Sequence, residues 1–235
     1  MKVSIIISAY NEAKTIRAVL AAVRVAPLPP GIHQTEIIVI NNGSSDATAD
    51  ILAGEQGVRV ISLYPNRGKG AALRVGFREA TGDVLLIQDA DLEYNPQDYP
   101  VLLEPFISGK AEAVIGKRPP ADMPFFAGLK RVPHFLPFVG NRMINYFINL
   151  LYNDWSKDYA CAYKLFTKRV VDRIHVRTNG FDYEYELFCK VMRLGVPVVE
   201  VPVWYRPRSY EEGKKIRAID GFKIILVAVR SRFFD

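Results

Sequence analysis

Apolar β-branched runs alternate with stretches of helical spacing through the first half of the chain. Residues 3–8 are almost uninterrupted Val and Ile, the pattern of a strand covered on both faces. Residues 12–25 carry apolar side chains at helical spacing, and Pro27, Pro29 and Pro30 end that helix. The same reading predicts strands at 36–41, 58–63, 83–88 and 113–116, and helices at 46–55, 68–80 and 96–108. Ser44, Ser45 or Asp46 caps the second helix, and Thr81-Gly82 closes the third. Strands separated by helices build right-handed crossover units and a mainly parallel sheet flanked by helices, an α/β fold. Ligands of such sheets sit beyond the carboxyl ends of the strands. The polar clusters at 8–12, 41–46, 89–93 and 117–118 each fall at such an end.

The second half is less regular. Residues 119–137 are rich in Pro, Phe and Met without a clear period. Helices are predicted at 138–152, 167–172 and 181–194, with a strand near 160–166. Pro197 and Pro202 mark 196–204 as an edge strand. A charged loop covers 206–215, and 220–234 reads as a terminal amphipathic helix. With no repeat and no long linker, one domain is expected over 1–235, divided functionally into 1–118 and 119–235.

Composition narrows the class. Hydrophobic residues are 49% and charged residues 24% of 235, which excludes a disordered chain, a collagen-like repeat and a disulfide mini-protein. The net charge of +6 suits an anionic partner (phosphate, nucleic acid or an acidic membrane face), or reflects only a lysine-rich surface. Cys161 and Cys189 read as buried thiols in a reducing compartment. There is neither a signal-peptide core nor a run approaching ~18–20 apolar residues, so a cytoplasmic protein with at most peripheral membrane contact is expected.

The strongest chemical feature is Leu86-Ile87-Gln88-Asp89-Ala90-Asp91-Leu92-Glu93. A buried strand delivers Asp89 and Asp91 to the ligand edge, and in extended chain residues two apart point the same way. With Glu93 they could hold a hard divalent cation; the bland alternative is a polar turn with a helix cap. Residues 41–46 (Asn-Asn-Gly-Ser-Ser-Asp) make either a capped turn or a nucleobase contact. Residues 66–72, around Gly68-Lys69-Gly70, lack phosphate-loop spacing, so their small side chains are read as close helix packing.

Basic residues cluster at Lys117, Arg118, Lys130, Arg131 and Arg142, and again at Arg206, Arg208, Lys214 and Lys215. Phe125, Phe126, Phe135 and Phe138 interleave with the first group. That mixture fits single-stranded nucleic acid, a lipid phosphate at a membrane face, or a packed segment with a solvated rim. His33, His134 and His175 show no ligand spacing.

Residues 3–12, 41–46, 66–72, 80–93 and 116–118 occur in an order that resembles the family-2 inverting glycosyltransferases. The likeness is to the branch of dolichyl-phosphate mannose synthases and other polyprenyl-phosphate glycosyltransferases. Residues 158–166, 180–186, 200–205 and 208–221 extend it nearly to the C-terminus. The resemblance implies a GT-A fold, a nucleoside-diphosphate sugar donor and Mg²⁺ or Mn²⁺. Carried over by position, Ser8, Tyr10 and Glu12 lie on the nucleoside side and Asn41 at the base. Asp89 and Ala90 lie near the sugar or ribose, Asp91 and Glu93 (with Asp89) at the metal, and Arg118, Arg208 and Lys214 at phosphates. The chain departs from the family pattern at Ser8, where Pro is usual, at Asn41-Asn42, where one or two Asp are usual, and at Ala160, often acidic.

The implied reaction moves a hexose to a polyprenyl (dolichyl or undecaprenyl) phosphate with inversion, with Asp91, Arg118 and Asp158 as the catalytic candidates. A phosphate is already ionised near neutral pH and needs no general base, whereas a hydroxyl acceptor would need one, for which Asp158 is the candidate. The alternatives are a soluble glycosyltransferase acting on a hydroxyl and a non-catalytic nucleotide-binding module. An amide at Asn41 carries both donor and acceptor, matching uracil better than guanine, so a UDP-sugar is favoured over GDP-mannose. Apolar residues flanked by Arg and Lys in 119–152 and in the terminal helix point to a membrane surface rather than to nucleic acid.

Overall fold

The structure, a computed structural model, describes residues 1–119, 135–154, 158–180, 182–206 and 218–234. Its first half runs β1 (Lys2–Ala9), α1 (Ile16–Arg24), β2 (Gln34–Asn42), α2 (Thr48–Ala53), β3 (Arg59–Leu63), α3 (Lys69–Glu79), β4 (Val84–Asp89), a 3-10 turn (Pro96–Asp98), α4 (Tyr99–Ile107) and β5 (Ala113–Lys117). The second half adds α5 (Phe135–Tyr152), β6 (Lys164–Thr167), α6 (Lys168–Asp172), α7 (Tyr183–Arg193), β7 (Val198–Pro202) and α8 (Ala218–Phe233).

Among the described residues seven strands form one sheet, in the order β3-β2-β1-β4-β6-β5-β7. Strand β1 lies inside the sheet between β2 and β4, and Val3, Ile6 and Ile7 are wholly buried, as a strand covered on both faces requires. The glycines of α3 let that helix approach the sheet at Gly76 and helix α7 at Gly70. A Cβ on Gly76 would lie 2.4 Å from Ile6 Cγ2, and one on Gly70 would lie 2.5 Å from Tyr183 Cβ.

Two boundaries differ from the sequence reading. Helix α1 starts at Ile16 rather than at residue 12, because 12–15 form a turn in which Ile16 N–H donates to Glu12 O at 2.9 Å. The strand expected near 160–166 begins only at Lys164, after a turn closed by Cys161 N–H on Asp158 O at 2.8 Å.

The sheet is mainly parallel, as expected, with one exception. Strand β6 is antiparallel to both neighbours and separates β4 from β5. Lys164 pairs with Ile87, so the residues just before β6 lie beyond the carboxyl end of β4. Strand β7 pairs parallel to β5 at the sheet edge, with Lys117 opposite Pro202. The chain after β5 and the chain after β7 therefore emerge together on the same rim.

Helices α5 and α8 pack against each other and against α7. Tyr152 Oη donates to Ala228 O at 3.0 Å, and Ile148, Ile224, Val227 and Ala228 are buried. Their outer faces are apolar: Met143, Tyr146 and Leu150 on α5, and Phe222, Leu226 and Phe233 on α8, are each 63–74% exposed. Arg142, Lys223, Arg230 and Arg232 are exposed on the same two helices. Helix α5 contains no acidic residue and α8 only Asp220. Among the described residues no helix is long and apolar enough to cross a membrane.

Candidate active site

At the end of β1, Ser8 pairs across the ladder with Asp89 of β4, and Tyr10 follows half-buried. Asn11 adopts φ 55° and accepts Ser45 N–H on Oδ1 at 2.8 Å, joining the loops after β1 and β2. Glu12 is buried; its N–H donates to Thr48 Oγ1 at 2.9 Å. Thr15 Oγ1 lies 3.1 Å from Glu12 Oε2 and 2.7 Å from Ala90 O, which ties this loop to the tip of β4. Asp46 accepts from Ala13 N–H at 3.1 Å and Thr48 N–H at 3.0 Å. Burial opposes its charge, but the Thr48 hydroxyl, which also donates to it, and these two N–H groups outweigh it and hold the carboxyl below the usual range.

Asn41 is buried, and its Oδ1 accepts Ser44 N–H at 3.3 Å within the turn. Its amide nitrogen makes no hydrogen bond among the described residues. Asn42 reaches the other way: its Oδ1 accepts Arg67 N–H at 3.1 Å, and Nδ2 donates to Asn66 Oδ1 at 3.3 Å. Gly43, at φ +71°, has no room for a side chain, since a Cβ would lie 2.5 Å from Asn66 N.

Strand β4 stops at Asp89, so the extended-chain argument for Asp89 and Asp91 fails: Asp91 sits in the turn that follows. Leu92 has φ 63°, and Glu93 N–H donates to Asp91 Oδ1 at 3.1 Å. This curl, rather than strand alternation, sets where Asp91 and Glu93 follow Asp89.

Behind Asp89 runs a line of alternating charges. Lys69 Nζ is 2.8 Å from Asp89 Oδ1 and 2.7 Å from Glu184 Oε1. Lys164 Nζ is 2.7 Å from Glu184 Oε2, donates also to Cys161 O, and has no exposed side-chain surface. Burial would favour neutral Glu184, yet the two ammonium groups pull its pKa down to about 2. Burial would likewise lower Lys69, but Asp89 and Glu184 raise it. The sequence reading missed Lys69, Lys164 and Glu184. Their available signal was a lysine between two glycines at a helix start, and charged residues inside otherwise apolar segments.

Across the rim, Arg118 grips Asp158 at two points, Nε to Oδ2 at 2.5 Å and Nη2 to Oδ1 at 2.6 Å. The guanidinium also lies 4.9 Å from the Tyr205 ring centroid, a cation–π distance. Asp158 is only 8% exposed. Tyr94 packs on Tyr205 and Tyr163, and its Oη accepts Ala162 N–H at 3.0 Å, which fixes the turn carrying Asp158. Burial and the nearby Glu93 charge push Tyr205 upward despite Arg118. Ala90 is buried. Arg208 and Lys214, with Phe125, Phe126, Lys130, Arg131, His134 and Lys215, lie outside the described residues.

Asp91 and Glu93 are oxygen donors, the set a hard divalent cation takes. Among the described residues no three such ligands form a ready cage. Two carboxylates fit Mg²⁺ or Mn²⁺, whose other positions go to waters and substrate phosphates. A cavity of about 860 Å³ lies elsewhere, between α3, α6 and α7, lined by Arg67, Arg74, Arg78, Lys168 and Phe77 among others. Cys161 and Cys189 are buried free thiols, each pushed up to about 12 by burial.

Residues 4–174 match the family model described as glycosyl transferase family 2. An undecaprenyl-phosphate mannosyltransferase of Micrococcus luteus is 29% identical over 236 residues, covering 97% of this chain and 93% of that protein. Glycosyltransferase AglD of Haloferax volcanii is 29% identical over 228 residues, 94% of this chain but 36% of its own length. An undecaprenyl-phosphate 4-deoxy-4-formamido-L-arabinose transferase of Klebsiella pneumoniae is 27% identical, covering 91% and 62%. Glucosyl-3-phosphoglycerate synthase of Mycobacterium tuberculosis, solved with Mn²⁺, UDP and glucosyl-3-phosphoglycerate, superposes with a TM-score of 0.73 at 20% identity. It covers 98% of this chain and 80% of that one, a likeness of fold.

Proposed function

Because the chain belongs to glycosyl transferase family 2 and has the GT-A fold, we propose that it transfers a hexose from a nucleoside-diphosphate sugar to a polyprenyl phosphate, with inversion. The named relatives that act on undecaprenyl phosphate support this acceptor. Residues 1–118 hold the donor and residues 119–235 face the acceptor. Ser8, Tyr10 and Glu12 flank the nucleoside, Asn41 the base, and Asp89 with Ala90 the ribose or sugar. Asp91 and Glu93 hold Mg²⁺ or Mn²⁺, which when bound supplies positive charge to the departing diphosphate. Arg208 and Lys214 neutralise phosphate charge.

The Arg118–Asp158 fork carries the choice of acceptor. Both Asp158 oxygens are engaged and the residue is 8% exposed, which leaves it poorly placed to take a proton from a hydroxyl. A phosphate acceptor arrives already ionised, with a second pKa around 6, and needs only positioning. Attack by its oxygen on the face opposite the leaving diphosphate inverts the anomeric carbon. The exposed apolar and cationic faces of α5 and α8 suit an anionic membrane surface, where such a lipid resides. In this reading the enzyme works peripherally at the cytoplasmic membrane face. The free amide nitrogen of Asn41 supports a UDP-sugar over GDP-mannose.

The test is incubation with labelled UDP-glucose or GDP-mannose, Mg²⁺ or Mn²⁺, and undecaprenyl phosphate, followed by solvent extraction. Metal-dependent label in the lipid phase is expected. Both donors binding while no label reaches lipid would contradict it.

A further inference from the structure

Asp89 ends β4, with Asp91 and Glu93 in the turn after it; three carboxylates within five residues carry more negative charge than one divalent cation neutralises. Lys69 answers that excess: its ammonium is 2.8 Å from Asp89 Oδ1, and both side chains are only 18% exposed. Lys69 cannot swing away freely. Glu184 Oε1 holds it at 2.7 Å from behind, and Glu184 is itself held at 2.7 Å by fully buried Lys164.

The backbone under Lys69 is fixed as well. Gly68 has φ +89°, and a Cβ there would overlap Asn179 O at 2.2 Å. Gly70 N–H donates to the same oxygen at 2.8 Å. Arg74 donates to Thr178 O and to Asn179 Oδ1, pinning the first turns of α3 to the segment before α7. The ammonium is therefore placed by two elements from different halves of the chain.

We propose that Lys69, braced by Glu184 and Lys164, is a positioning residue that divides the labour among the acidic side chains. It occupies the Asp89 oxygen that would otherwise turn to the cation, and so reserves Asp89 for the donor. Coordination is left to Asp91 and Glu93. The proposal rests on the reading of this tip as the metal and donor site, but its test needs only binding.

Mn²⁺ binding without nucleotide, followed by the paramagnetic resonance of free Mn²⁺, separates the roles. In Asp89→Asn, UDP-glucose or GDP-mannose binding falls at least about tenfold while Mn²⁺ affinity falls far less than in Asp91→Asn, where Mn²⁺ binding is lost. Lys69→Met removes a repelling charge and frees Asp89, so Mn²⁺ binds roughly threefold or more tighter while donor affinity falls about tenfold. Lys69→Arg moves both back toward wild type. If Lys69→Met does not fold, the neutral pair Glu184→Gln with Lys164→Met loosens the brace; the same two shifts, each smaller, are expected.

Loss of Mn²⁺ in Asp89→Asn equal to that in Asp91→Asn overturns the proposal. So does Lys69→Met, or the double variant, with Mn²⁺ affinity unchanged or weakened. A wild type that binds metal and nucleotide but transfers no sugar defeats the functional reading instead and leaves these binding results interpretable.

Discussion

Arg118 and Asp158 meet as a two-point fork, with N–O distances of 2.5 and 2.6 Å, across the rim formed by the chain after β5 and the turn before β6. The residue expected as a general base for a hydroxyl acceptor is thus the partner of the residue expected to meet phosphate. Breaking a largely buried pair from one side leaves the other charge unmatched. Asp158→Ala is expected to lower unfolding free energy by ~3 kcal/mol, read from urea midpoints. Asp158→Asn keeps the volume and one acceptor, and should retain measurable transfer to a lipid phosphate.

Acid should weaken the fold through Glu184. Its pKa is lowered from 4.5 to about 2 in the folded chain, so the stability it contributes is complete above about pH 4.5 and is lost as pH falls toward 2. Urea midpoints taken from pH 6 to 2.5 should decline more steeply for wild type than for the double variant Glu184→Gln, Lys164→Met. Equal slopes would show that other lowered carboxylates, such as Glu36 and Glu186, account for the acid response.

Gly116 tests how tightly the Asp158 turn is packed. A Cβ there would lie 2.8 Å from Cys161 Sγ, in the turn before β6, and 3.0 Å from Val203 Cγ2, just after β7. Gly116→Ala should cost ~1–3 kcal/mol by overpacking and reduce transfer more than it reduces nucleotide binding. A variant with wild-type melting temperature and transfer rate would contradict the packing.

The outer faces of α5 and α8 make a separate prediction. Leu150→Glu with Leu226→Glu alters two side chains that are 64% and 70% exposed, so the melting temperature should stay within a few degrees. Flotation with vesicles containing phosphatidylglycerol should drop at least about tenfold, and wild-type binding should weaken with salt. Unchanged flotation, or a dimer in wild type that the substitutions dissolve, would assign these faces to another partner.

Most of the first half's architecture is legible because β1, β2 and β4 carry mainly apolar runs and each ends in polar residues. The direction of β6 is not. Residues 160–166 read as one apolar strand, and nothing in an apolar run says which way it points; the turn between Asp158 and Cys161 consumes its first half. The extended alternation expected across Asp89 and Asp91 does not occur, because β4 ends at Asp89 and the chain curls at Leu92. Lys69 was hidden by its glycine neighbours, whose close packing is real, and by partners that come from β4 and α7.

Acceptor chemistry is decided by offering undecaprenyl phosphate and undecaprenol side by side with labelled donor and Mn²⁺, to wild type and to Asp158→Asn. Label is expected on the phosphate alone, with both enzymes. Comparable transfer to the alcohol, abolished by Asp158→Asn, would make Asp158 a base and the acceptor a hydroxyl.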